Sequence, residues 1–187
     1  MGDSYAAKWM KVTIGVAKVA YYGGIHVVNS AGNHGGSTNG RIWTPSYDDL
    51  KGTPGIEKEL DFLGDKFKNN LDGGLKELLR LLGLIIVVGA MNIDDTLCDF
   101  SGYGSRVDIL APGLDVYAMN NDGKPNKQFG ASEATAIVTG LLASSISGTL
   151  YQNKQKNVKD GDTLSLEYQK KALLANGTQV AIISDGN

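Results

Sequence analysis

The chain has 187 residues, 18 of them basic and 20 acidic, and no stretch in which basic residues cluster. This length suffices for one domain with a sizeable core. The nearly balanced charge argues against nucleic acid and against anionic membrane surfaces as partners. Twenty-five glycines against four prolines indicate an ordered, tightly turned domain. The single cysteine, Cys98, excludes an internal disulfide.

The N-terminal segment predicts a helix. Asp3 or Ser4 can cap it, apolar residues follow at helical spacing, and Gly23 and Gly24 end it. The segment lacks the basic start and clean apolar core of a signal peptide, and the chain has no run of 18 apolar residues. We therefore predict no membrane span and leave the cellular compartment open. A chain that starts directly on such a helix is expected to be cut from a larger protein.

Helices and strands are predicted to alternate along the rest of the chain. Residues 36–55 are expected to be irregular, and two amphipathic helical pieces, broken by the "DGG" of residues 72–74, are expected before residue 83. A buried helix is predicted from Ala131 to Ile146, a last helix before Gly177, and a strand in the tail after it. This alternation indicates an α/β fold in three layers, with a mostly parallel sheet flanked by helices. The predicted strands are "IHVVNS", "LIIVVGAM", "SRVDILAPG" and "DVYAMN", with a turn-rich hairpin or loop after the last.

The segment "FGASEATAIVTG", residues 129–140, places Ser132 and Glu133 at the start of the predicted buried helix. A serine there can cap the helix, and a glutamate suits the positive end of the helix dipole. The same hydroxyl, approached past Gly130, can act as a nucleophile. A third possibility is an anion site at the helix start, although no complete phosphate-loop pattern is present. This segment by itself leaves these interpretations open.

Three glycine-punctuated stretches, taken together, resemble the second half of a subtilisin-like serine protease (subtilase) catalytic domain. The first contains Ala31-Gly32-Asn33, which matches the family's A-G-N loop at a strand end. The second resembles its V-G-A, F-S, glycine and A-P-G positions. The third, Gly130 to Gly140, resembles its nucleophile motif G-T-S-x-A-x-P-x-V-x-G. The matching residues of the second stretch are Val88-Gly89-Ala90, Phe100-Ser101, Gly104 and Ala111-Pro112-Gly113.

This resemblance implies a site for acyl transfer. Ser132 is expected to be the nucleophile, with its own backbone N–H and the side chain of Asn33 forming the oxyanion hole. Ser30, Ala31 and Gly32 are expected to form one wall of the pocket for the substrate residue before the scissile bond. The resemblance implies a serine endopeptidase that acts on peptides or proteins, without cofactor or metal. Intact members of this family are often secreted.

The family's triad runs Asp, His, Ser along the chain, and this chain carries only the serine motif. Its two histidines, His26 in a predicted strand and His34 after Asn33, lack the family's H-G-T-H context. We therefore expect residues 1–187 to be the C-terminal part of a subtilase domain, with a helical insert at about 41–83. An N-terminal half-domain carrying Asp and His is the expected partner. The alternative is an inactive fragment or pseudoenzyme that acts as a binding module.

Departures inside the nucleophile motif indicate a divergent member. Ala131, Ala136 and Ile137 stand where the family usually has Thr, Pro and often His. Two acidic clusters, Asp94-Asp95 and Asp160-Gly161-Asp162, lack the ligand number and spacing of a calcium loop and are predicted to be solvated turns.

Overall fold

A computed structural model describes residues 2–37, 45–156 and 163–176 of the chain. It confirms the prediction of an α/β fold with a parallel sheet and flanking helices. The predicted tail strand after Gly177 lies outside the described residues. The helices are α1 (Gly2–Gly23), α2 (Tyr47–Lys51), α3 (Ile56–Glu59), α4 (Leu71–Leu82), α5 (Ala131–Lys156) and α6 (Leu166–Ala175). The strands are β1 (Val28–Ser30), β2 (Gly36–Ser37), β3 (Ile86–Met91), β4 (Gly102–Tyr103), β5 (Ile109–Pro112), β6 (Val116–Met119) and β7 (Pro125–Gln128).

The chain divides into two compact units, and the first is helical. It comprises Met1–Val27 and Asn39–Ile85, so its bounds contain α1 and the predicted insert at about 41–83. The unit is held together by apolar side chains that α1, α2, α3 and α4 bury. Its fully buried members are Ile14, Leu50, Ile56, Leu75, Leu78 and Leu82.

The predicted break at residues 72–74 is wrong, because these residues lie inside the first turn of α4. The side-chain oxygen of Asn70 caps this helix by accepting a hydrogen bond from the Gly73 N–H at 2.9 Å. A side chain at Gly73 would collide with the Asn70 amide, so glycine here permits the cap. The preceding helical segment is the one that is interrupted. After α3 it continues only as two 3₁₀ turns, Asp61–Leu63 and Asp65–Phe67, separated by Gly64 with φ +93°.

The second unit, Val28–Thr38 and Ile86–Asn187, contains the sheet. Its three central strands are parallel in the order β1-β3-β5, with Val28 opposite Ile86 and Val88 opposite Ile109. Helix α5 packs against all three strands. The resulting core is made of Ile86, Val88, Ala90, Cys98, Ala111, Ala131, Ala134, Val138 and Leu142.

Helix α5 is longer and more exposed than its sequence predicts. It runs to Lys156 instead of ending at Ile146, and its buried apolar residues, at helical spacing, all lie in its first half. Leu141 on the other face is 55% exposed, and Leu150 and Tyr151 are exposed as well. The prediction of a buried helix is therefore wrong for most of α5, because only one stripe of it faces the sheet.

Helix α5 is also the one helix, among the residues that the structure describes, that is long and apolar enough to cross a membrane. Length and composition alone support this, and a core helix of a water-soluble protein meets the same criteria. The contacts of its first half with the sheet show that this half serves as a core helix.

The two short strands after β5 form an antiparallel hairpin, with Val116 opposite Gln128 and Met119 opposite Pro125. This arrangement confirms the predicted strand "DVYAMN". It also shows that the turn-rich segment after this strand forms a hairpin, which was one of the two predicted alternatives. The hairpin ends at Phe129, whose ring lies 5.9 Å from that of Phe100. Two residues, Phe129 and Gly130, separate β7 from α5.

A largely buried ion pair connects α6 with the entrance of β5. Lys170 Nζ lies 2.9 Å from Asp108 Oδ1, and their side chains are only 12% and 21% exposed. The second carboxylate oxygen, Asp108 Oδ2, accepts a hydrogen bond from the Val87 N–H at 2.8 Å. Both oxygens of one carboxylate therefore hold together α6, β3 and the start of β5.

Candidate functional site

The loop after β1 is fixed by backbone hydrogen bonds to the neighbouring strands. Ala31 N–H donates to the carbonyl of Val88 at 2.7 Å, which continues the parallel ladder beyond Ser30. The carbonyl of Gly32 accepts from Gly102 N–H at 2.9 Å, and Gly35 N–H donates to the carbonyl of Phe100 at 2.7 Å. Asn33 is therefore held between two anchored residues.

Gly102 allows this close approach of two chain segments. A Cβ at this position would collide with the carbonyl group of Ala31. We expect Gly102→Ala to destabilise the protein by about 2 kcal/mol, because backbone must move to relieve the overlap. Urea unfolding monitored by circular dichroism measures this change. The matched control is Gly148→Ala in α5, where an added Cβ meets nothing within 4 Å; an equal loss in both variants would contradict the role given to Gly102.

The start of α5 is built against the end of the sheet. Gly113 N–H donates to the carbonyl of Met91, and Gly130 N–H donates to the carbonyl of Gly113 at 2.8 Å. Gly130 has φ +155°, a backbone conformation that residues other than glycine rarely adopt. This turn sets where α5 begins and so fixes the backbone of Ala131 and Ser132.

The side chain of Asn33 reaches the first residue of α5. Its Oδ1 accepts a hydrogen bond from the Ala131 N–H at 2.7 Å, across 98 positions of sequence. This contact satisfies one of the unpaired N–H groups at the helix N-terminus. The hydrogen bond to Ala131 uses the side-chain oxygen of Asn33. The side-chain NH₂ group is therefore the donor that Asn33 can offer to a bound ligand.

Ser132 follows Ala131 as the second residue of α5, and it is exposed. The interpretation of Ser132 as a helix cap is therefore wrong, because the cap position falls on Gly130 and the Ala131 N–H is bound by Asn33. The structure brings together Asn33 and Ala131, the residue before Ser132. The roles of the hydroxyl and of the amide in catalysis stay predictions.

The three residues predicted to line a substrate pocket lead from β1 into this site. Ser30 is half-buried at the end of the strand, Ala31 is buried, and Gly32 has φ +94°. They precede Asn33 directly, so any group bound at the Asn33 amide would lie close to this stretch. Their part in substrate binding remains a prediction.

The two histidines differ in environment. His26 is half-buried, and burial lowers the pKa of its imidazole. It belongs to the first unit, whereas Asn33 and Ser132 belong to the second. His34 is exposed in the loop directly after Asn33. The expectation that neither is the catalytic base stays a prediction.

No group of three or more metal-ligating His, Cys, Asp or Glu side chains occurs within residues 2–37, 45–156 and 163–176. In the loop after β3, Asp94 Oδ1 accepts hydrogen bonds from the N–H of Thr96 at 3.1 Å and from its hydroxyl at 2.6 Å. These bonds lower the pKa of the Asp94 carboxyl and close the loop on itself. The second acidic cluster, residues 160–162, lies outside the described part of the chain.

Two residues near the site have roles that the sequence alone did not reveal. Ser101 is buried, accepts a hydrogen bond from Ala90 N–H at 2.8 Å and donates to the carbonyl of Gly102 at 3.0 Å. Glu133 places a carboxylate oxygen beside Gly130, on the side of Asn33. In the sequence, this position of Glu133 is indicated only by its charge, because the other residues between Gly130 and Gly140 are uncharged.

Comparisons with known proteins agree with the motifs. The sequence model of the Subtilase family matches residues 2–177. Proteinase T of Parengyodontium album is 38% identical over 79 residues, which are 39% of this chain and 27% of that protein. Subtilisin-like protease 2 of Pseudogymnoascus destructans is 45% identical over 60 residues, 31% of this chain and 15% of that protein. The chain thus spans only part of the length of these relatives.

A solved structure described as a cold adapted subtilisin-like serine proteinase is also similar to this chain. The identity is 18%, the TM-score is 0.43, and the match covers 75% of this chain and 58% of the other. Together with the family match, the sequence relatives confirm the resemblance that the three motifs indicated.

Proposed function

Because this chain belongs to the subtilase family of serine proteases, we propose that it supplies the nucleophile and the oxyanion hole of a serine endopeptidase. Ser132 attacks the carbonyl carbon of a peptide bond, and the negative charge that develops on the carbonyl oxygen is held by the Asn33 amide and the Ser132 N–H. The substrates are peptides or proteins, and Ser30, Ala31 and Gly32 line the pocket before the scissile bond.

The hydrogen bond of 2.7 Å between the Ala131 N–H and Asn33 Oδ1 supports this proposal best. It fixes the orientation of the Asn33 amide relative to the start of α5, so that the NH₂ group is directed away from Ala131. Donors that are oriented before the reaction stabilise a developing charge without a cost of reorganisation. A helix N-terminus adds a favourable field for the same charge.

A serine hydroxyl is a weak nucleophile without a base that accepts its proton. We propose that an N-terminal half-domain provides the Asp and the His, in the family's order along the chain. The domain of residues 1–187 then forms the C-terminal part of a subtilase fold, and residues 41–83 are a helical insert in it. The exposed apolar residues of α5, among them Leu141 and Leu150, leave surface for such a half-domain to cover.

The full chain is expected to hydrolyse peptides no faster than a Ser132→Ala variant. Labelling with a fluorophosphonate probe, followed by peptide mapping, tests for an activated serine directly. Addition of an N-terminal subtilase half that carries Asp and His is expected to produce labelling at Ser132 and peptide hydrolysis. Turnover that depends on Ser132 in the chain alone would contradict the need for that half and would point to His34 or another base.

The second candidate is a catalytically inactive module that binds a partner, and the altered motif positions Ala131, Ala136 and Ile137 favour it. The two candidates differ in the complementation experiment. A module of this kind binds the added half without any labelling at Ser132, whereas the endopeptidase is labelled.

A further inference from the structure

Glu133 places negative charge next to the candidate oxyanion hole. It is half-buried in the first turn of α5. Its Oε2 lies 2.6 Å from the position that a Cβ on Gly130 would occupy, and Asn33 Nδ2 lies 2.8 Å from the same position. The carboxylate and the amide nitrogen therefore flank one point beside Gly130, where only glycine leaves room.

The side-chain oxygen of Asn33 accepts the hydrogen bond from the Ala131 N–H, so its NH₂ group is the donor at this point. A carboxylate beside such a donor attracts it and repels any second negative charge that approaches. Glu133 is half-buried, whereas Asn33 and Ser132 are exposed, so water screens part of this repulsion and its short range carries the effect. In the family's motif as it stands in this chain, Glu133 is the only charged residue between Gly130 and Gly140.

We propose that the Glu133 carboxylate opposes the binding of negative charge at the Asn33 amide and at the start of α5. This inference rests on the proposed function, because it concerns the site where an oxyanion would form. The charge at position 133 then sets how strongly the site holds an anionic ligand. The class of ligand that it disfavours includes oxyanions and carboxylate products.

Sulfate is a suitable probe, since its binding needs no nucleophile or catalytic base. We would titrate the full chain with sulfate and follow the backbone amides of Ala131 and Ser132 and the side-chain amide of Asn33 by NMR. Glu133→Gln removes the charge and preserves the shape. It is expected to bind sulfate at this site about tenfold more tightly than the unchanged chain.

Glu57→Gln is the matched control, because it removes an equal charge from the first turn of α3 in the other unit. It is expected to leave sulfate binding at Ala131 and Asn33 unchanged. Equal affinities for the unchanged chain and Glu133→Gln would overturn the proposal. A failure of Glu133→Gln to bind sulfate would overturn it equally.

A second measurement separates this proposal from the proposed function. In the complemented protein, the rate of fluorophosphonate labelling at Ser132 is expected to rise about tenfold in Glu133→Gln, since the phosphonylated transition state carries negative charge. Absence of labelling in every variant, with the sulfate difference intact, would refute the endopeptidase and retain the role of Glu133. Labelling at equal rates, with equal sulfate affinities, would refute the role of Glu133 and retain the endopeptidase.

Discussion

Asn33→Asp is expected to lower peptide hydrolysis by the complemented protein by about 10²–10³, which is the known effect of losing such a donor in subtilisin, a member of this family. Aspartate keeps an oxygen where Asn33 Oδ1 accepts the Ala131 N–H, but it loses the NH₂ group. The substitution therefore removes the donor and adds a negative charge that also opposes an oxyanion, while it retains the contact that positions the helix. The ratio kcat/KM with a peptide substrate measures the effect.

Asn33→Leu serves as the comparison, since it removes both the donor and the acceptor. It is expected to lose similar activity and, in addition, about 1 kcal/mol of stability, as for the loss of a helix-capping group. Thermal unfolding compares the two variants. Asn33→Asp keeps the acceptor for the Ala131 N–H, but it places a second carboxylate beside Glu133, so its stability is expected to fall as well. Near-normal hydrolysis by Asn33→Asp would show that the Asn33 amide is not a donor of the oxyanion hole.

Asp108→Ala is expected to destabilise the second unit by about 3 kcal/mol. The substitution leaves the Lys170 ammonium, which is 12% exposed, without its carboxylate, and it deprives the Val87 N–H of its acceptor. Lys170→Met should cost less, because a long apolar side chain can occupy the same space without a charge. Urea unfolding of both single variants and the double variant measures their coupling. Additive losses would mean that the pair does not act as a unit.

The same lysine predicts a dependence of stability on pH. Burial, which is the main cause, and the nearby Arg106 cation hold the pKa of Lys170 below its usual value near 10.5, although Asp108 opposes this. As pH rises from the lowered pKa towards 10.5, the folded state releases this proton before the unfolded state does. The free energy of unfolding therefore gains a contribution that increases with pH in this window. Lys170→Met removes that increment, which paired unfolding curves at several pH values would detect.

The sequence predicts the elements of the second unit well where one pattern dominates. The run "LIIVVGAM" predicts a buried strand, and β3 covers Ile86–Met91 with both faces buried. The residues of the site were predicted from the resemblance of three motifs to the subtilase family, because the local helix and strand pattern left the role of Ser132 open. The family resemblance predicts that Asn33 lies near Ser132. The hydrogen bond of Asn33 to the Ala131 N–H, across 98 positions, was not predicted, because local patterns carry no information on such distances.

Two wrong predictions have clear physical causes. The "DGG" of residues 72–74 contains residues that disfavour a helix interior, but the Asn70 cap places them in the first turn, where that cost is small. The apolar composition of α5 predicts a buried helix. Only the stripe with Ala134, Val138 and Leu142 faces the sheet, however. An apolar side chain reveals its preference for burial, but not whether a neighbouring surface is available to cover it.

The order of the two units along the chain affects how the protein folds. Strands β1 and β3 are neighbours in the sheet, but residues 39–85 of the helical unit lie between them in the chain. Closing a long flexible loop costs conformational entropy before the strand pairing returns any stabilisation. Helical contacts are mostly local and form early, and a segment that has become compact shortens the loop that remains to be closed. We therefore expect the parallel pairing that holds Asn33 beside α5 to be a late, non-local step that follows compaction of the segment between the strands.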